Sequence, residues 1–168
     1  MVLELAIVCL FAWAMAFGAA MDMFTMTIPN RVSLLMVAGF LVLAPFMGLG
    51  LDGFLSHLGV GAAMLAVGVV MFSLGWLGGG DAKLFAAGAL WVGFDHLLEF
   101  TFYITLAGGA LTLLLLNFRS TIPHPLIMKQ AWAMHLHNPR TGVPYGIAIA
   151  VAALLVYPDL PWALHARL

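Results

Sequence analysis

Five stretches of this chain run for 17 residues or more without an Asp, Glu, Lys, Arg or His: Leu5–Met21, Val32–Leu51, Leu58–Gly80, Phe100–Phe118 and Thr141–Pro158. A helix needs roughly 20 apolar residues to cross about 30 Å of hydrocarbon. Each stretch therefore predicts a helix that crosses a lipid bilayer. A sixth segment, Leu84–Phe94, has only eleven such residues and crosses only if its polar flanks, Ala82-Lys83 and Asp95–Leu98, lie among the headgroups. Composition excludes an ordinary soluble domain: 64% of residues are hydrophobic and 8% charged, against about 25% charged in soluble proteins. A net charge of -1 leaves no basic footprint for nucleic acid. The single cysteine, Cys9, allows no internal disulfide and no Cys-x-x-Cys zinc site.

Basic residues in short loops gather on the cytoplasmic side of a membrane, which decides the status of the sixth segment. With six crossings, Arg31, Lys83, Arg119, Lys129 and Arg140 share one side and Arg167 lies opposite. Without it, Arg31, Lys83 and Arg167 face Arg119, Lys129 and Arg140, and the asymmetry vanishes. The prediction is thus an all-α, six-crossing domain covering residues 1–168, its N-terminus outside. Because only Glu4 precedes the first apolar run, that run lacks the positive start of a signal peptide and reads as a retained helix. The stretch from Arg119 to Arg140 holds Pro123, Pro125, Trp132 and three histidines. Its mixed segment Pro125–Asn138 predicts a short helix on the membrane surface.

On this topology Glu4, Asp52, Asp95, Glu99 and Asp159 fall on the outer side, where loops and helix ends carry charge cheaply. Asp22 and Asp81 alone fall inside, after the inner ends of the first and third spans. Two carboxyls at one depth are the minimum apparatus for activating water without a metal or a nucleophilic side chain. A plainer account is also open. Asp is a favoured helix N-cap, so Gly78-Gly79-Gly80-Asp81 could end one helix and cap the next. Asp22 could simply stand at the water interface before a turn at Pro29-Asn30.

The residues around the two acids carry more information than their spacing. Asp22 is followed by Met-Phe-Thr-Met-Thr and then Ile28-Pro29-Asn30, and Gly78-Gly79-Gly80-Asp81-Ala82-Lys83-Leu84 fits Gly-x-Gly-Asp-x-Lys-Leu. Together these resemble the type IV prepilin peptidases, aspartic proteases of the bacterial inner membrane. The six-span plan and the late Pro144-Tyr145-Gly146 are similar to the small subfamily that processes Flp-type pilins. The resemblance implies Asp22 and Asp81 as the catalytic pair, no cofactor, a cytoplasm-facing site, and a prepilin or pseudopilin substrate with a basic leader and a hydrophobic N-terminal helix. Larger relatives also N-methylate the pilin and carry paired Cys-x-x-Cys motifs in an insertion that this chain lacks, which implies a peptidase without methyltransferase activity. The sequence departs from many members in having no basic residue between Asp22 and Pro29.

Two carboxyls within a few ångströms cannot both ionise, so such a pair shares one proton and works as base and acid together. The glycines would let backbone approach an extended substrate. Lys83 reads mainly as an inner-side anchor and secondarily as a substrate contact; Pro29 suits the first turn of the second span, and Asn30 can bond nearby backbone or a carboxylate. Tyr145 is either cleft-lining or an interfacial anchor. His135 and His137 would point apart on a helix with no acid or Cys near them, so no metal site is predicted. Small residues such as Gly61, Ala62, Gly108 and Gly109 are candidates for contact with a substrate helix. Two competitors remain: an intramembrane aspartic protease of the presenilin or signal-peptide-peptidase kind, and a non-enzymatic transporter or assembly subunit.

Overall fold

The computed structural model describes residues 2–121, 127 and 129–165. They form α1 (Val2–Thr25), α2 (Asn30–Leu43), α3 (Leu51–Ser73), α4 (Gly79–Val92), α5 (Leu97–Ser120), α6 (Ala131–His137), α7 (Tyr145–Val156) and α8 (Pro161–His165), with 3-10 turns at Ala44–Phe46 and Tyr157–Asp159. The fold is all-α, and no strand occurs among the described residues. Arg167, one of the charges used for orientation, lies outside the described residues, as do residues 125, 126 and 128 of the anticipated surface helix. What is described of that helix is the seven-residue α6.

Six longer helices stand where six segments were anticipated, but their lengths differ. Among the described residues, only α3 and α5 are long and apolar enough to cross a membrane by length and composition, which gives two candidate crossings rather than six on this measure. The 14 residues of α4 span only about 21 Å at 1.5 Å per residue. Pro45 and the left-handed Gly48 and Gly50 end α2 before Leu51. In α3 the helix starts seven residues earlier than anticipated, taking in Asp52, whose carboxylate suits the positive helix start. It stops at Ser73 because Gly75, at φ +74°, closes it with paired bonds from Gly75 N–H to Phe72 and from Trp76 N–H to Met71, the Schellman arrangement. Gly75, and not the Gly78–Gly80 run, is therefore the cap of the third helix.

The short fourth helix is the centre of the bundle. Ala82 and every residue from Leu84 to Val92 are buried, as fits a helix that is apolar all round and enclosed on all sides. It packs against α1, α2, α3, α5 and α7. Small residues allow the closest of these approaches: a Cβ on Gly68 would lie 3.0 Å from the Ala82 Cβ and 3.3 Å from its backbone, and one on Gly61 would lie 3.0 Å from the Leu90 Cβ. Gly61 is thus used for internal packing. At the far end of α4, Trp91 donates to the Met36 carbonyl at 2.9 Å, and Trp162 donates to the Trp91 carbonyl at 3.1 Å. Phe11, Phe40, Trp91 and Trp162 form one aromatic knot with ring centroids 5.4–5.8 Å apart. The knot fixes that end and leaves the N-terminus of α4 to face the ends of α1 and α7.

Gly68→Val should displace the first turn of α4, because the obstructing Ala82 atoms include backbone that cannot rotate away. A loss of about 1–3 kcal/mol is expected for such overpacking, read as a lowered midpoint of thermal unfolding. Gly59→Ala, on the same helix with open space at its Cβ, is the control and should be neutral or slightly stabilising.

Candidate active site

Asp22 sits in the last turn of α1. Met26 closes that helix with its N–H bonded to the Asp22 carbonyl at 2.8 Å and with φ at +53°, a left-handed conformation uncommon for a side chain of this size. The chain then turns through Thr27 and Ile28 into Pro29, which is the N-cap of α2 rather than its first residue. Asp81 is the third residue of α4, and its N-cap is Gly78. The capping role considered for Asp81 is therefore taken by a glycine, and Asp81 belongs to the start of the fourth helix rather than to the end of the third. Asp22 likewise lies within a helix and is 4% exposed, not a solvated residue before a turn.

The two acids meet. A cavity of about 260 Å³ is lined by Asp22, Met26, Thr27, Ile28, Gly78, Gly79, Gly80 and Asp81. These are the only two acidic side chains buried among the described residues, at 4% and 8% exposure, whereas Asp52, Asp95 and Asp159 are exposed. From the third direction comes α7: the N–H of Gly146 donates to Asp22 Oδ2 at 2.8 Å. Asp81 Oδ1 is buried without a hydrogen-bond partner. Both carboxyls stand just outside the uncharged stretches of the sequence. Burial pushes the Asp22 carboxyl above its ordinary value, against the pull of the Gly146 N–H. Burial, and then the charge of Asp22, push Asp81 up to about 7, opposed by the N–H groups of Gly78 and Gly146. One proton on the pair near neutral pH is what acid–base work on a water molecule needs.

Glycine is required here by contact. A Cβ on Gly78 would lie 2.7 Å from Asp81 Oδ2, one on Gly80 3.1 Å from the Ile28 Cβ, and one on Gly146 2.9 Å from both Asp22 Oδ2 and Ile28 Cδ1. Ile28 is the apolar wall against which two of these glycines close. Asn30 does not hold a carboxylate; its Oδ1 accepts from Lys83 Nζ at 2.9 Å, tying α2 to α4. Pro144 is fully buried as the N-cap of α7, and Tyr145 packs its ring on Gly108. His137 faces the Thr121 carbonyl at 3.1 Å and the Phe118 ring.

Met26 and Thr27 line the cavity and were not singled out from the sequence, although they lie inside the stretch that joins Asp22 to Ile28. Arg119 was read only as a topological charge. It donates to the carbonyls of Leu136 at 2.8 Å, Thr141 at 2.9 Å and Gly142 at 3.0 Å, so it fastens the end of α5 to the link that delivers Gly146. No sequence pattern announces such a contact.

The profile of the type IV leader peptidase family matches residues 9–113, more than half of the chain. The chain belongs to that family. The match spans both acids and the Ile28-Pro29-Asn30 and Gly78–Lys83 motifs, and it ends before Pro144-Tyr145-Gly146. No curated protein and no solved structure matches significantly. A leader peptidase is a protease that acts on prepilins, and membership supports that function for this chain.

A buried carboxyl that binds its proton more tightly in the folded state than the ordinary 3.8 stabilises the fold fully only below that value, and the contribution is lost as pH rises through about 7. Asp81→Asn should accordingly raise the thermal unfolding midpoint at pH 8, by about 1–4 kcal/mol of stability. Near pH 4 the variant and the unmodified protein should unfold together.

Proposed function

We propose that this member of the family is an aspartic endopeptidase that removes the leader of Flp-type prepilins, with Asp22 and Asp81 as its catalytic pair. The observation that carries the reading is the convergence of the two buried acids on one small cavity walled by glycine backbone. The ionised carboxylate of the pair takes a proton from water; the hydroxyl oxygen attacks the scissile carbonyl carbon, whose oxygen is protonated by the other carboxyl. Collapse of the diol breaks the C–N bond, with the amine taking the proton first removed from water. The chain has one cysteine and a four-residue link, 26–29, between α1 and α2, which supports cleavage without methyl transfer. Six crossings in the bacterial inner membrane, with the acids at the cytoplasmic border, accord with the five-to-one distribution of basic residues. The family match and the two long apolar helices support the membrane setting.

A place for the substrate's apolar helix follows from the same geometry. Successive helical residues are about 100° apart, so Phe85, four after Asp81, shares its face, while Lys83 points to nearly the opposite side. Phe85 lines a groove of about 710 Å³ between α3 and α5, together with Trp76, Leu77, Gly108, Gly109 and Tyr145. Trp76-Leu77 runs directly into Gly78, and Tyr145 into Gly146, so residues of the groove adjoin residues at the acids along the chain. The second large groove, lined by Lys83, Asn30 and Ala62, lies on the other face of α4. Of the small residues anticipated as substrate contacts, Gly108 and Gly109 are therefore retained.

Asp22→Asn and Asp81→Asn should each abolish cleavage of a prepilin in membranes while leaving expression and insertion intact; Asp52→Asn, Asp95→Asn and Asp159→Asn should cleave normally. Normal processing by either of the first two variants rules out the pair. Separately, a Cβ on Gly109 meets open space, so Gly109→Leu should fold normally and fill the groove. A roughly tenfold higher KM is expected, equivalent to about 1.4 kcal/mol of lost binding, with kcat unchanged.

A further inference from the structure

We propose that the Gly146 N–H divides the labour of the pair, holding Asp22 as the carboxylate that takes the proton from water and leaving Asp81 as the carboxyl that protonates the substrate carbonyl. The inference rests on the peptidase reading above and adds to it a positioning residue and an assignment of acid and base.

Three observations carry it. The first two N–H groups of a helix have no partner within the helix, and Gly146 is the second residue of α7. Its N–H is thus free to be spent on Asp22, 2.8 Å away and distant in sequence. A hydrogen bond to an ionised oxygen is about twice as strong as one to a neutral group, and the positive end of α7 adds to the preference. Asp81 also lies at a helix start and is reached by the N–H groups of Gly78 and Gly146, but its Oδ1 is buried and unpartnered. An ionised oxygen there would be left without a donor, whereas a protonated carboxyl supplies a donor for an incoming carbonyl. Finally, only glycine fits: a Cβ at 146 would stand 2.9 Å from Asp22 Oδ2 and 3.0 Å from Asp22 Cβ, forcing the carboxylate from its place.

Other titratable groups on the packed elements are turned away. On α2, Arg31 is exposed; on α4, Lys83 bonds Asn30; on α6, His135 is exposed and His137 faces the Thr121 carbonyl; on α7, Tyr145 lies against Gly108. Arg119 of α5 is engaged by three carbonyls. Asp81 alone shares the cavity with Asp22. Proton balance closes on this assignment. Asp22 receives a proton from water and passes it to the leaving amine; Asp81 gives its proton to the carbonyl oxygen and recovers one from the diol as the new carboxylic acid forms.

The test replaces Gly146 by glycolic acid in the full chain, which converts the Tyr145–Gly146 amide to an ester and deletes the N–H without adding bulk. The acid limb of kcat/KM against pH should rise by about one unit, with KM unchanged and the basic limb moving upward by less, because the same N–H also acts on Asp81. An acid limb that does not move overturns the proposal. Gly146→Ala should lower kcat at least tenfold at unchanged KM, and full activity in that variant is equally fatal to it. If the unmodified protein leaves every prepilin uncut, the peptidase reading fails and takes this assignment with it; cleavage by the unmodified protein with an unmoved acid limb removes the assignment alone.

Discussion

Enclosure of a 14-residue helix on every side is the constraint from which the rest of this structure follows. A helix apolar around its whole circumference must be covered all round, and α4 obtains that cover from five others. The close approach of α3 depends on Gly61 and Gly68, where any side chain would meet Leu90 or Ala82. With the Trp91 end fixed by two indole hydrogen bonds, the opposite end has one place to go, between the end of α1 and the start of α7. Asp81 is carried there by the packing of residues with no chemistry of their own.

Burying two carboxyls together opposes folding, since desolvation and mutual repulsion both favour the neutral form. Backbone offsets part of the cost. Asp81 lies in the first turn of α4, and Asp22 lies against the first turn of α7, so each occupies the positive end of a helix. The compensation is incomplete, and both carboxyls stay above their ordinary range. Lys83, two residues from Asp81, bonds Asn30 instead of either acid.

Much of this was legible in the sequence, and what was missed has a physical pattern. The uncharged stretches located the six longer helices, and the unequal placement of acids singled out the two that prove to be buried. Boundaries were misjudged where glycine acts through φ rather than through hydropathy: hydropathy ran on to Gly80, but Gly75 had already closed α3. The doubtful eleven-residue segment was the hardest to interpret and became the centre, because a buried helix owes its apolarity to protein neighbours and not to membrane thickness. Asn30 was read as a partner for nearby backbone or for a carboxylate and instead accepts from Lys83, 53 positions away, a pairing that no local pattern encodes. Arg119 escaped for the same reason, since its partners are carbonyls of irregular chain.

The candidate site is built mostly of main chain, and that suits a polypeptide ligand. Gly78, Gly79 and Gly80 form one wall, and Ile28 stands against both Gly80 and Gly146. Side chains at these glycine positions would intrude on the cavity of about 260 Å³. Two segments far apart in sequence line the cavity, and a third, at Gly146, reaches Asp22 from beyond the stretch matched by the family profile. The grip of Arg119 on the carbonyls of Thr141 and Gly142 fixes the approach of that segment, so the position of one N–H beside Asp22 depends on a cation outside the cavity. The cavity is thus held by glycine, backbone and the packing of one short helix rather than by the outer helices.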